Sequence, residues 1–191
     1  MKKMAAKTTP LPELYVDLLK SKKIGHLAML TPLENLVTVP VAFFYQEPVI
    51  FFGTPRDSKK LEFLRKNRKV ALTIDNGRRS AKYSFGVQFQ GTVEIYDIKV
   101  LATRMISAIT AMVRFVKKYP DLFTFYFNPA KQGCLPSSNR IFKYCLSRIE
   151  PTRIVFWDGE MRREIYPGID DTTGISERIH TAKIGKIGSQ S

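Results

Sequence analysis

The sequence predicts a mainly β protein: a small antiparallel barrel of about six strands with peripheral helices. Three observations carry that expectation. Residues 83–96 alternate apolar and polar side chains with a strict period of two. Several shorter segments rich in β-branched and aromatic residues lie between turn residues. Few segments carry a helical period, and there is no internal repeat.

Residues 1–10 form a basic segment expected to be a mobile tail. A helix start follows at Thr9-Pro10-Leu11-Pro12-Glu13, and Leu11, Leu14, Tyr15, Leu18 and Leu19 make one apolar stripe. Ile24–Leu30 and Leu36–Tyr45 are the first strands expected. Pro48–Gly53 is joined to the second by a tight hairpin connection. Pro40 cannot donate to a ladder, so its strand needs an edge, a bulge or a neighbour other than a strand at that point. A loop then leads into a short helix starting near Asp57 or Ser58, both good N-caps. Lys69–Asp75 is a further strand.

In the long alternating segment, Tyr83, Phe85, Val87, Phe89, Val93 and Ile95 point one way, with Gly86 and Gly91 as bend points. A second helix is expected from about Ile98 to Lys118, ended by Tyr119-Pro120. Residues 119–140 read as irregular. Two last strands, Ile141–Ile149 and Thr152–Trp157, flank Pro151. The organisation expected is a tail over 1–10, one domain over 11–160 and an arm or tail over 161–191.

Thirty-one Lys and Arg against 17 Asp and Glu give a net charge of +14 in 191 residues. That favours anionic partners without choosing among them. Two cysteines eleven positions apart and two distant histidines exclude a zinc site and a disulfide framework. Cys134 and Cys145 read as reduced, partly buried thiols. No apolar run is long enough to span a membrane. Met1-Lys2-Lys3 is not followed by an apolar run before Pro10, so the chain is expected in the cytoplasm.

One constellation carries chemistry. A strand ends in Gly53-Thr54, and a helix begins Ser58-Lys59-Lys60. A helix N-terminus offers unpaired N–H groups and partial positive charge, Thr54 and Ser58 add hydroxyls, and Lys59 and Lys60 add full charges. Residues 56–69 hold seven Lys and Arg against two acids. First-turn lysines oppose the helix dipole, which hints at an anionic ligand. The bland alternative is a solvated helix with a serine cap. His26, in an apolar run, reads as a hydrogen-bonded core residue. Arg163 and Lys131 are either contacts for an anionic substrate or plain solvated charges.

Taken in order, these segments resemble the FMN-binding split barrels of the pyridoxamine 5'-phosphate oxidase-like family. The likeness spans residues 11–160. It runs from Ile24-Gly25-His26-Leu27 and the strand Leu36–Phe44 through Gly53-Thr54, Ser58-Lys59-Lys60 and Asn67-Arg68-Lys69-Val70. It continues in Gln88-Phe89-Gln90-Gly91-Thr92 and ends at Phe156-Trp157-Asp158-Gly159. The resemblance implies a six-stranded antiparallel split β-barrel and a homodimer with two FMN at its interface. It implies a phosphate held by Thr54, Ser58, Lys59 and Lys60, and a ring lying against the backbone of Val39, Pro40 and Val41. Gln88 and Trp157 are further implied cofactor contacts. Trp157 would come from the partner subunit, or else merely cap a barrel end.

The departures are specific. The strand Leu36–Phe44 has no basic residue where pyridoxamine-phosphate oxidases carry Arg and Lys, and Ile165 stands where they carry His. The expectation is therefore an FMN-dependent oxidoreductase with a small-molecule substrate or electron donor other than pyridoxamine phosphate. It needs no catalytic acid or base that the sequence identifies, because the cofactor does the hard step. Two alternatives remain: the same barrel with deazaflavin or haem, and a basic nucleic-acid-binding barrel. The aromatics favour the inward register of the strands rather than an exposed basic face, which argues against the second.

Overall fold

The computed structural model describes residues 11–78, 81–96, 110–111, 113–120, 144–159 and 161–166. Its elements are α1 (Glu13–Ser21), β1 (Ile24–Leu30), β2 (Leu36–Gln46), β3 (Val49–Pro55), α2 (Lys59–Lys66), β4 (Lys69–Asp75), β5 (Phe85–Tyr96), β6 (Tyr144–Asp158) and β7 (Met161–Ile165). The strands order β3-β2-β1-β4-β5-β6-β7, and a further β3–β6 pairing closes the first six into a barrel. All neighbours are antiparallel. No described helix is long and apolar enough to cross a membrane.

Alternation along each strand builds the interior. Leu27, Phe43, Phe52, Leu72, Phe89 and Ile149 are fully buried there. The antiparallel order gives the barrel two ends. At the end where β5 begins, α1 packs its stripe inward, and the Tyr15 ring stands 4.8 Å from Phe156 and 6.3 Å from Phe85. At the other end α2, linking β3 to β4, buries Leu61 and Leu64 in the same core. A second cluster lies outside the barrel. Phe44, Val49, Phe51, Tyr96 and Leu146 pack with Ala111, helical with residue 110, and with Phe115 of the helical stretch 113–118.

That stretch is clasped to the barrel. Lys118 donates to the Leu19 carbonyl at 2.9 Å, 4.4 Å from the centre of the Phe43 ring. The Tyr119 hydroxyl accepts the Phe43 amide at 3.0 Å and lies against the Phe43 and Lys23 carbonyls. The rest of the helix expected over 98–118 and nearly all of 119–140 lie outside the described residues, as do Lys131, Cys134 and His180.

Several expectations need correction. The strands expected on either side of Pro151 are one strand, β6. Its register shifts by one residue at Gln90/Gly91, where Gly91 faces Pro151, so a bulge carries the strand past the proline. Gly91 is required there because a Cβ would strike the Glu150 carbonyl and stand 2.8 Å from Pro151 Cα. Residues past Asp158 are not all an arm, since Met161–Ile165 pairs with β6 as β7. Leu14 leaves its stripe and is half exposed, and Tyr83 ends a 3-10 turn rather than opening β5. His26 is exposed on the outer face of β1, not in the core.

Candidate functional site

The hairpin β2–β3 splits. Its arms pair over Phe43–Gln46 and Val49–Phe52 only. Beyond that point β3 continues along β6 as far as Pro55, while Leu36–Ala42 of β2 pairs with β1 alone. Continuing the hairpin register sets Val41 across from Thr54, with no ladder between them. Pro40 lies on this unpaired edge, which answers its missing donor. Pro40 is exposed, Val39 half-buried and Val41 buried.

Across the split stands the turn into α2. Thr54 is fully buried at the end of β3. Its Oγ1 lies 3.1 Å from Ser58 Oγ, which donates to the Pro55 carbonyl at 2.8 Å. The proton between the two hydroxyls therefore comes from Thr54. Ser58 also accepts the Leu61 amide at 3.3 Å, so it is the N-cap of α2. The first-turn amides of Lys59 and Lys60 have no acceptor among the described residues. They are the donors that a helix start leaves for an anion.

Charge is held at this turn against its own solvation. Burial pushes the half-buried Lys60 ammonium below its ordinary value, while Cys145 nearby pushes it back up. Lys60 has no carboxylate partner among the described residues. Arg56 Nε, in the same turn, is buried with no hydrogen-bond partner. An anion such as a phosphate would satisfy both cations and both amides. The sequence reading passed over Arg56. Its position between Thr54 and Ser58, in a turn already rich in donors, was the available signal.

The other expected contacts lie elsewhere on the chain. Gln88 occupies one row of the outer face with Pro40, His26 and Thr73, at successive strand positions. Three strand spacings of about 4.8 Å each separate it from Pro40. Gln88 donates to Thr73 Oγ1 at 3.0 Å and accepts from Gln90 at 2.6 Å. Arg153, paired with Glu164, donates to Gln90 at 3.3 Å. Trp157 sits at the barrel end opposite Thr54, paired with Gly86 and Arg162. Within one chain, then, Thr54, Ser58, Lys59 and Lys60 share the turn beyond the split, whereas Gln88 and Trp157 lie on other strands and do not join them.

A family model described as pyridoxamine 5'-phosphate oxidase matches residues 12–118. No curated protein matches the sequence. Among solved structures, the fold is similar to that of an FAD-binding protein from Mesorhizobium loti (TM-score 0.54, 17% identity, 75% of this chain and 92% of that one). It is also similar to an F420 reductase (TM-score 0.51, 18% identity, 75% and 98%). A heme binding protein from Mycobacterium smegmatis shares it too (TM-score 0.50, 15% identity, 79% and 56%). At such identities the likeness is one of fold.

Proposed function

This chain belongs to the pyridoxamine 5'-phosphate oxidase family, and from that premise we propose that it is a cytoplasmic FMN-binding oxidoreductase acting as a homodimer. The observation that carries the reading is the turn 54–60. There two unaccepted amides, two hydroxyls, the half-buried Lys60 and the buried Nε of Arg56 share one turn, beyond the point where β2 parts from β3. Arg56 supplies charge that the strand Leu36–Phe44 lacks.

When bound, the flavin supplies hydride or electron transfer at its central ring. The chain's part is to hold and orient it. Lys59, Lys60 and Arg56 would neutralise the phosphate, the first-turn amides of α2 would donate to it beside the hydroxyls of Thr54 and Ser58, and the strand Val39, Pro40 and Val41 would lie along the ring. Gln88 and Trp157, remote from the turn within one chain, reach the ring from a second copy. Leu33 and Leu36, 82% and 79% exposed beside the unpaired edge, supply apolar surface for that copy. Ile165 in place of the family's His points away from pyridoxamine phosphate and toward another small substrate or electron donor.

The absorption spectrum of the purified protein tests this. Flavin bands, and affinity for added FMN that falls about tenfold or more in Lys60→Ala and Arg56→Ala, are the expected result. A deazaflavin spectrum or a Soret band would replace FMN with the cofactor it identifies. Colourless protein that takes up no FMN would remove the reading.

A further inference from the structure

The loop joining β4 to β5 is organised around Asn76. Its amide donates to the Phe85 carbonyl at 3.0 Å and its side-chain Nδ2 to the Tyr83 carbonyl at 2.6 Å. Its Oδ1 accepts the Arg78 amide at 3.2 Å, and its carbonyl accepts Lys22 Nζ at 2.9 Å. Gly77, at φ +70°, turns the chain and donates to Asp75 Oδ1 at 2.6 Å. From the β6–β7 turn, the Gly159 amide donates to the Ser84 carbonyl at 2.8 Å. Both shoulders of the loop are thereby fixed to the barrel.

Between these shoulders opens a cleft of about 540 Å³, lined by Arg78, Lys82, Tyr83, Ser84, Phe85 and Asp158. Tyr83 is 57% exposed, and Lys82 Nζ stands 5.8 Å from its ring centre. Arg78 and Lys82 have no carboxylate partner among the described residues. Asp158 is the one carboxylate among these lining residues, against the two cations Arg78 and Lys82, and it also lines a smaller cavity beside Tyr15 and Arg163. The cleft therefore carries a net positive charge and is walled by aromatic rings. It opens at the end where β5 begins and β6 finishes, whereas Thr54 stands at the end where β3 finishes and β6 begins.

We propose that this cleft binds a small aromatic anion, its ring stacked on Tyr83 and its phosphate or carboxylate held by Arg78 and Lys82. Guanidinium and ammonium donors form charge-assisted hydrogen bonds to either anion, and an exposed phenol ring with a cation above it accepts a second ring. The Asn76 frame lowers the ordering cost of binding. The site needs no cofactor in the α2 turn, so it stands or falls apart from the flavin reading.

The test is titration of the full-length purified protein with 1-naphthyl phosphate and 1-naphthoate, with 1-naphthol and inorganic phosphate as single-feature controls. At least one aromatic anion should bind, with both controls about tenfold weaker or worse. Tyr83→Ala and the double variant Arg78→Ala/Lys82→Ala should each weaken it about tenfold or more, and Lys60→Ala should leave it unchanged. Unchanged binding in both cleft variants, loss in Lys60→Ala alone, or no binding of either anion would overturn the assignment. So would tighter binding of a single-stranded oligonucleotide that the same cleft variants abolish, because the occupant would then be nucleic acid.

Discussion

The Trp157 indole lies against Gly86 on the neighbouring strand, so closely that a Cβ at Gly86 would strike the ring and stand 2.7 Å from the Ile74 carbonyl. The glycine that reads as a bend point in the sequence is needed for close approach. Gly86→Ala should therefore displace the ring and destabilise the barrel by about 1–3 kcal/mol, the usual range for overpacking. Trp157 is the only tryptophan in the chain, so its fluorescence reports the displacement directly. Urea unfolding that matches wild type, with an unshifted emission maximum, would show that the indole moves aside freely.

Ser58 serves both the fold and the proposed phosphate site, and the two roles separate by substitution. Ser58→Ala removes the cap of α2 and should cost about 1 kcal/mol without ligand, whereas Ser58→Gly should cost only a few tenths. Both remove the hydroxyl, so both should weaken FMN binding to a similar degree. Chemical denaturation beside an FMN titration checks this. Retained affinity in Ser58→Gly would reduce Ser58 to a capping residue.

Sequence patterning exposed the fold wherever one period ruled a segment. Lys69–Asp75 has the bounds its pattern predicts because it alternates against a single buried face, and Ile24–Leu30 has the bounds of its short apolar run. β6 was not legible as one strand. Pro151 reads as a break, and only the partner Gly91, sixty positions earlier, shows why the chain continues. β7 carries just Met161 and Ile165 as apolar residues, so its strand character comes from β6. The one local hint was the turn pair Asp158-Gly159. The turn 54–60 was readable because caps and first-turn amides are local features. The split that faces it was only half readable, since Pro40 announced an unusual neighbour without naming it. His26 misled because its outward position depends on strand phase, which a continuous apolar run hides.

Lys118 gives the clasp a pH dependence. Burial, with repulsion from Lys23 in second place, pushes its ammonium down to about 8 from an ordinary 10.5. Between these values the unfolded chain holds a proton that the folded chain has released, so this residue's contribution to stability rises with pH. Below the folded value both states are charged and the desolvation cost is felt in full. Lys118→Met abolishes the dependence, so wild type should gain stability relative to the variant between about pH 7 and about pH 10. Parallel unfolding curves at both pH values would mean that the ammonium stays hydrated.

Glu164 should act in the opposite sense at the acid end. Hydrogen bonds from Arg153, and after them from Tyr166 at 2.7 Å, hold its carboxyl below the usual carboxylate range. A depressed folded value means the contribution is complete above the unfolded value near 4.5 and disappears as pH falls through the folded one. Glu164→Gln should therefore lower stability at neutral pH and approach wild type under acid, the gap closing only below about pH 4.5. The variant also reduces the bidentate ion pair of Arg153 with β7 to one neutral hydrogen bond while leaving its bond to Gln90. If β7 depends on that link, hydrogen exchange of residues 161–165 should quicken while the β5–β6 ladder keeps its protection. Equal exchange in both would show that main-chain pairing alone holds the strand.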